Sequence, residues 1–201
     1  MRKASFIFMG LLMLSGCKPP PVDLFNVETY LRPYERELDK PLTIILDPEI
    51  PNDFAVDGAG LREMEVYDFR RSLQLSLYYT FVNTYQDVYF SDQIDTSSIT
   101  LHIYRIRPAW VIKSTSTSVT GTDVVVSSTS YEVASLIRYD GVVYQNGKKT
   151  SVIDNEVESE KTASIKRKWG DTFKDAVREM CEDLYKTLVS AETNTDKASG
   201  N

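Results

Sequence analysis

Histidine and cysteine are almost absent from this sequence. It contains one histidine, His102, and two cysteines, Cys17 and Cys181. A catalytic or metal-binding histidine needs partners, and here neither a second histidine nor a spare cysteine is available. We therefore expect no metal and no cofactor. His102 is predicted to be a structural or exposed strand residue, because it alternates with Ile99, Leu101 and Ile103 on the opposite face of a strand.

An excess of basic residues is also missing. The chain has 23 Lys and Arg against 29 Asp and Glu, a net charge of −6. Loss of Arg2 and Lys3 with an N-terminal signal would make the remaining chain still more acidic. This balance argues against nucleic-acid binding and against electrostatic binding of a polybasic segment to anionic lipid.

Long apolar runs are lacking as well. The N-terminal run from Phe6 to Leu14 follows Arg2 and Lys3, and it falls short of the roughly 20 residues that a membrane-spanning helix needs. This is the build of a secretory signal peptide. It ends in Leu14, Ser15, Gly16 and Cys17, which resembles a bacterial lipobox. The resemblance implies cleavage between Gly16 and Cys17, diacylglycerol on Cys17 and a further acyl chain such as palmitate on the new amino terminus. Several acyl chains hold a protein stably on a membrane.

The residues after Cys17 suggest where the anchored protein resides. Pro19, Pro20 and Pro21 favour a short extended spacer. By resemblance to Gram-negative lipoproteins, Lys18 in place of an aspartate implies transfer to the outer membrane, with the domain facing the periplasm. In another kind of bacterium the anchor would lie in the cell membrane. We expect a signal peptide (1–16), a lipidated linker (17–40), one domain (41–190) and a disordered polar tail (191–201).

Two amphipathic helices are predicted in the domain. The first covers Leu61 to about Asn83, where apolar residues recur every three or four positions; these are Val66, Phe69, Leu73, Leu77 and Phe81. The second begins near Asp171 as its N-terminal cap and carries a stripe of Phe173, Val177, Met180, Leu184 and Leu188. Ile165 and Trp169 extend this stripe backwards, so a longer helix interrupted at Gly170 remains open. Cys181 borders that stripe and is predicted to be a buried core thiol, because no histidine can activate it.

Strand patterns occupy much of the rest. Leu42 to Leu46 is almost entirely apolar, Asp87 to Phe90 is short, and a longer alternation begins at Ile99. Pro108 indicates a bulge or an edge position in that strand, and Asp140-Gly141 indicates a bulge or turn. Asn146-Gly147 predicts a type I′ hairpin before a return strand from about Thr150 to Val157.

Two segments are candidates for partner contact. The loop after Leu46 carries the carboxylates of Asp47, Glu49, Asp53 and Asp57, which lack the spacing of a calcium loop and predict a solvated acidic surface. Lys113 to Ser130 is rich in Ser, Thr and Val. Both a flexible loop and a long hairpin turning near Gly121 remain open. The hairpin is favoured because the valine-rich alternation continues on both sides of the glycine.

Together these elements predict an α+β fold, a mostly antiparallel sheet of four to five strands with both helices on one face. Their order after the lipobox and proline spacer resembles small outer-membrane lipoproteins of the YajG type. The architecture is also similar to that of the LPS-assembly lipoprotein and of auxiliary lipoproteins of lipid-transport ABC systems. The resemblance carries over only one functional residue, Cys17. It implies a non-enzymatic binding or assembly module of the cell envelope. The alternatives are a carrier of lipid or another apolar ligand, with Phe69, Leu73, Trp110 and Phe173 lining a pocket, and an envelope hydrolase.

Overall fold

A mixed β-sheet forms the centre of the domain. The computed structural model describes residues 22–23, 38–58, 61–120, 125–160, 162–164 and 169–199. The main sheet comprises β2 (Leu42–Leu46), β5 (Val88–Phe90), β6 (Ile99–Thr120), β7 (Val125–Gln145) and β8 (Lys148–Glu158) in the order β5-β2-β6-β7-β8, and the short strand β9 (Ala163–Ser164) also pairs with β7. The pairs of β7 with β6, β8 and β9 are antiparallel. β2 is parallel to both of its neighbours, β5 and β6. The predicted α+β class is therefore confirmed.

Two helices complete the fold, α1 (Phe69–Phe81) and α2 (Trp169–Ser199). The stripe residues Leu73, Leu77, Leu184 and Leu188 are fully buried. They share one hydrophobic core with the strand residues Ile44, Leu101, Ile103 and Val143. The two helices also touch each other, because the ring of Phe81 stacks on that of Tyr185 at a centroid distance of 6.1 Å. The burial of both apolar stripes against one sheet face supplies most of the folding energy.

The predicted start of the first helix was wrong. Leu61–Tyr67 is strand β4, which pairs with β3 (Phe54–Gly58) and β1 (Val22–Asp23) in a second, three-stranded sheet. Met64 and Val66 alternate with Glu63 and Glu65, which is a strand period, and both are buried. Val66 also happens to fit the helical spacing of the residues that follow it. Asp68 separates the strand from the helix, and its φ of 54° lies in the left-handed region.

The second helix follows the longer alternative at its start and runs past its predicted end. It begins at Trp169, so Asp171 lies in the first turn and is not the cap. Its carboxylate still interacts favourably with the helix dipole there. The helix also continues to Ser199, into the segment predicted to be a disordered tail, because no glycine or proline stops it before Gly200. The lead-in between Asp23 and Leu38, predicted as a short helix or irregular segment, lies outside the described residues.

The bulge of the sheet lies next to Gly141, although the extra residue belongs to the neighbouring strand. The register between β6 and β7 shifts between Ile103 and Arg105, so Tyr104 is the unpaired residue. β7 runs straight past Asp140 without a turn. A Cβ on Gly141 would lie 2.8 Å from the carbonyl oxygen of His102, so only glycine allows this close approach.

Two predictions about proline and glycine are confirmed. Pro108 pairs with Ile137 of β7 at a point where β2 no longer accompanies β6, because the β2 pairing ends at Ile103. Its missing N–H therefore costs no ladder bond to β2. Asn146 and Gly147 connect β7 to β8 with φ values of 53° and 71°, the left-handed pair of a type I′ turn.

Candidate binding site

The lipidation motif cannot be placed on the fold. Gly16 and Cys17 lie outside the described residues, so cleavage and acylation remain predictions. The nearest described residues that follow are Val22 and Asp23, which pair with Val66 and Tyr67 of β4. Neither helix in the described part of the chain is long and apolar enough to cross a membrane.

The carboxylates of the acidic loop have separate structural roles. Asp47 accepts a hydrogen bond from the backbone N–H of Glu49 at 2.9 Å. Asp53 accepts one from the backbone N–H of Asp68, also at 2.9 Å, and so ties the loop to the start of α1. Asp57 lies in β3. Within the ranges that the structure describes, no group of three or more His, Cys, Asp or Glu side chains could hold a metal ion.

Arg70 fixes the path of the same loop. Its guanidinium donates to the carbonyl oxygens of Leu46 and Asp47, each at 2.6 Å, and of Ile50 at 3.0 Å. Leu46 is the last residue of β2, and Asp47 and Ile50 lie in the loop after it, so these carbonyls lie where the ladder ends and can accept from a side chain. The planar fork of arginine can satisfy several acceptors at once. Arg70 therefore shapes the wall of the neighbouring cleft.

The structure brings the acidic loop and the single histidine together at one cleft. This cleft has a volume of about 820 Å³. It lies at the carboxyl ends of the parallel strands β5 and β2, next to β6 and the first turns of α1. Oδ2 of Asp47 lies 3.8 Å from Nε2 of His102, and both side chains are about one quarter exposed. Phe90 and Ile94, which are 37% and 43% exposed, add apolar surface to the lining. The lining also contains polar and charged side chains, namely Arg70, Gln74, Ser91, Asp92 and Gln93. The result is a half-open site with apolar walls and an acidic edge.

Neither His102 nor Cys181 forms a nucleophile–base pair within the described residues. His102 forms no hydrogen bond to a serine or cysteine within the described ranges, and its ring contacts that of Tyr104 at 6.2 Å. Cys181 is fully buried, as predicted. Burial raises the pKa of its thiol to about 12, although a hydrogen bond with Thr80 opposes the shift. The thiol is therefore un-ionised and inert at neutral pH.

The four residues expected to line an apolar pocket pack against one another. Phe69, Leu73 and Phe173 are at most 1% exposed and Trp110 is 6% exposed. Phe173 lies between two other rings, at centroid distances of 6.0 Å from Phe69 and 6.2 Å from Trp110. A further ring, that of Phe54, meets Phe69 edge to face at 5.1 Å. These residues belong to one hydrophobic core and pack on one another there.

The segment from Lys113 to Ser130 is a hairpin arm in the ranges described. β6 and β7 pair continuously from Lys113 with Glu132 to Thr120 with Val125, while residues 121–124 are outside the description. β9 pairs with Glu132 and Val133 at the base of the arm. From these residues towards the tip, no other described strand pairs with β6 or β7. At about 3.4 Å per residue, the arm extends roughly 24 Å beyond the sheet. Its described side chains, such as Ser116 and Thr129, are exposed. Both edges of the arm therefore present backbone donors and acceptors to solvent.

Sequence reasoning missed part of the site. The sequence pattern did not single out Arg70, and it placed Phe90 only in a short strand. The one usable signal was Asp47-Pro48 directly after an apolar strand, because loops at the ends of strands often form sites. Nothing in the sequence indicates that Asp47 and His102 meet.

The fold belongs to an α+β class already seen in solved bacterial proteins. The structure is similar to that of protein XCC0632 from Xanthomonas campestris, designated by the family model DUF330, with a TM-score of 0.53, 12% identity and coverage of 89% of this chain and 97% of that one. This likeness shows the fold alone.

Two solved bacterial lipoproteins are similar at lower scores. One is a minor lipoprotein from Acinetobacter baumannii, with a TM-score of 0.42, 10% identity and coverage of 77% of this chain and 94% of that one. The other is rare lipoprotein B from Shewanella oneidensis, with a TM-score of 0.40, 12% identity and coverage of 78% and 98%. Scores this low carry no argument about function. No protein-family model matches the sequence, and no curated protein matches it.

Proposed function

We propose that this chain is a bacterial lipoprotein, anchored through Cys17, whose domain is a non-enzymatic binding or assembly module of the cell envelope. The observation that carries the proposal is the sequence Leu14-Ser15-Gly16-Cys17 behind a basic and then apolar N-terminal segment. Lys18 favours the outer membrane, with the domain on the periplasmic side.

The first described strand keeps the domain close to the anchor. Val22 pairs with Val66 of β4. A chain of this length between Cys17 and Val22 reaches at most roughly 17 Å, whatever path it takes. A lipidated Cys17 would therefore hold the second sheet within about that distance of the bilayer surface. This geometry suits a module that works on partners at the membrane.

The arm is the proposed contact with an envelope protein. It adds long edges to the domain, and its Ser and Thr side chains bury little in the core. Backbone groups along such an edge can pair with a strand of another protein. A role as carrier of an apolar ligand has less support, because the predicted pocket residues form a packed core.

Lipidation is tested by labelling cells with radioactive palmitate and separating membrane from soluble fractions. Cys17→Ser should abolish the label and release the protein from the membrane fraction, because no other residue in the motif can be acylated. Cys181→Ala is the matched control, and it should leave both label and location unchanged since that thiol is buried. A Cys17→Ser protein that stays labelled and membrane-bound would disprove the anchor.

A further inference from the structure

The two edges of the main sheet differ in chemistry. β8 forms one edge, and its outward residues include Lys148, Lys149, Asp154 and Glu156, the charged pattern that discourages strand addition. β5 forms the other edge and consists only of Val88, Tyr89 and Phe90. Tyr89 is 53% exposed, one of the highest values among the large apolar side chains described. The β5 strand itself therefore lacks the charged side chains that the β8 edge carries.

The backbone of β5 leaves two residues facing outward. The N–H of Leu42 donates to the carbonyl of Asp87 at 2.8 Å, and the N–H of Ser91 donates to the carbonyl of Ile44 at 3.1 Å. Asp87 and Ser91 thus face β2, and the two-residue alternation of a strand turns Val88 and Phe90 away from it. No described strand pairs with that side. Within the described residues, the N–H and C=O groups of Val88 and Phe90 therefore have no strand partner on that side.

The surroundings of this edge combine apolar surface with negative charge. Phe90 and Ile94 form the apolar wall of the cleft, and Asp47 and Asp92 lie beside them. No described cation forms an ion pair with the exposed carboxylate of Asp92. Arg70 in the cleft wall donates to three neutral carbonyl oxygens, and its single positive charge is set against the two carboxylates of Asp47 and Asp92. The site therefore favours a ligand with apolar and basic groups.

We propose that the β5 edge and the adjoining cleft bind an extended segment of a protein partner in which apolar and basic side chains alternate. The segment adds a strand beside β5, its apolar side chains pack on Phe90 and Ile94, and its basic side chains approach Asp47 and Asp92. This deepens the proposed binding role and concerns a surface separate from the arm. A second copy of this chain is a poorer occupant, because it would add its own Asp87 and Asp92 to the carboxylates already at this edge.

The test uses the full chain, purified in non-ionic detergent, and a fluorescein-labelled peptide of seven alternating lysines and valines. Binding is followed by fluorescence anisotropy. We expect saturable binding that weakens at least about fivefold when the central valine of the peptide is replaced by proline, since proline lacks the donor of a strand and keeps the charge. A peptide with glutamate in place of lysine should not bind. These two peptides separate strand addition from attraction between opposite charges.

Protein variants locate the binding. Phe90→Ser and Asp92→Asn should each weaken binding of the lysine peptide several-fold, and Asp92→Asn removes only an exposed charge, so it should keep the fold. Val152→Ser on β8 is the matched control, because Val152 is 58% exposed on the opposite edge. Equal effects of Phe90→Ser and Val152→Ser, full binding of the proline peptide, or no saturable binding at all would each overturn the proposal. So would a dimer in sedimentation that Phe90→Ser dissociates. None of these results depends on lipidation, so failure here is distinct from failure of the anchor.

Discussion

The guanidinium of Arg70, on the first turn of α1, lies 2.6 Å from the carbonyl oxygen of Leu46, the last residue of β2. A second nitrogen of the same group donates to Asp47 and Ile50. One side chain thus joins the helix, the end of a central strand and the loop that carries the acidic wall of the cleft.

We therefore expect Arg70→Lys to destabilise the domain although it keeps the charge. One guanidinium nitrogen of Arg70 donates to two carbonyl oxygens, and a second nitrogen donates to a third. A lysine ammonium, with a single nitrogen, cannot reproduce this arrangement. The expected loss in the free energy of unfolding is about 1–3 kcal/mol, measured by urea denaturation. Arg71→Lys on the exposed neighbouring position is the control and should change stability by less than about 0.5 kcal/mol. Equal effects at both positions would contradict the role given to Arg70.

The helix faces can be tested in the core. Leu73 and Leu184 are fully buried, one on each helix. Replacing either with alanine should lower the free energy of unfolding by about 2–5 kcal/mol, because a cavity remains where the side chain was. Val152→Ala, at a site 58% exposed, should have a small effect. A denaturation midpoint that stays unchanged in both leucine variants would show that the assigned faces are wrong.

The free energy of unfolding at alkaline pH should depend on the buried thiol of Cys181. The pKa of Cys181 rises from an ordinary value of 9.0 to about 12 on folding, because burial disfavours the thiolate. The unfolded chain therefore releases this proton first, and the associated stability is complete below pH 9 and is lost as the pH rises towards 12. Between pH 9 and 11, wild type should lose about 1.4 kcal/mol per pH unit more than Cys181→Ala.

Urea denaturation of both proteins at pH 8 and pH 10.5 measures that difference. Tyr139 is buried in both proteins, and burial and its hydrogen bond to Asp183 raise its pKa as well. The thiolate of Cys181 is the smallest of the causes that raise the pKa of Tyr139, so the part of the Tyr139 contribution that does not depend on Cys181 cancels in the comparison. Parallel pH profiles for wild type and Cys181→Ala would mean that the thiol is accessible to water in the folded protein.

The arm should be dispensable for folding and necessary for partner contact. Deleting Ser114 to Ser128 and closing the gap with a short glycine-containing turn removes only exposed or undescribed side chains. We expect the melting temperature to change little, while an envelope partner recovered by cross-linking of the wild-type protein is lost. Unfolding of the shortened protein would assign the arm to the core. Retention of every partner by a folded protein would show that the interface lies elsewhere.

The sequence predicted those parts of the structure that local chemistry decides. Asn146-Gly147 adopts a type I′ turn because both residues tolerate a positive φ. Leu184 and its stripe on α2 faced the core as expected, since helical spacing places them on one side. The lipobox is a local signal as well, but its residues lie outside the described part of the chain, so cleavage and acylation stay predictions.

Other features depended on tertiary structure. Leu61–Tyr67 was predicted as the start of a helix, because Val66 fits the helical spacing, and only pairing with Phe54–Gly58 in the second sheet makes it a strand. β2 lies between two parallel neighbours, and that arrangement is set by long-range pairing which no local pattern records. The same pairing brings Asp47 beside His102, far along the chain, and turns the edge of β5 towards solvent. Periodicity tells which side of each element is apolar, whereas the neighbours of that element follow from the burial and backbone hydrogen bonding of the whole chain at once.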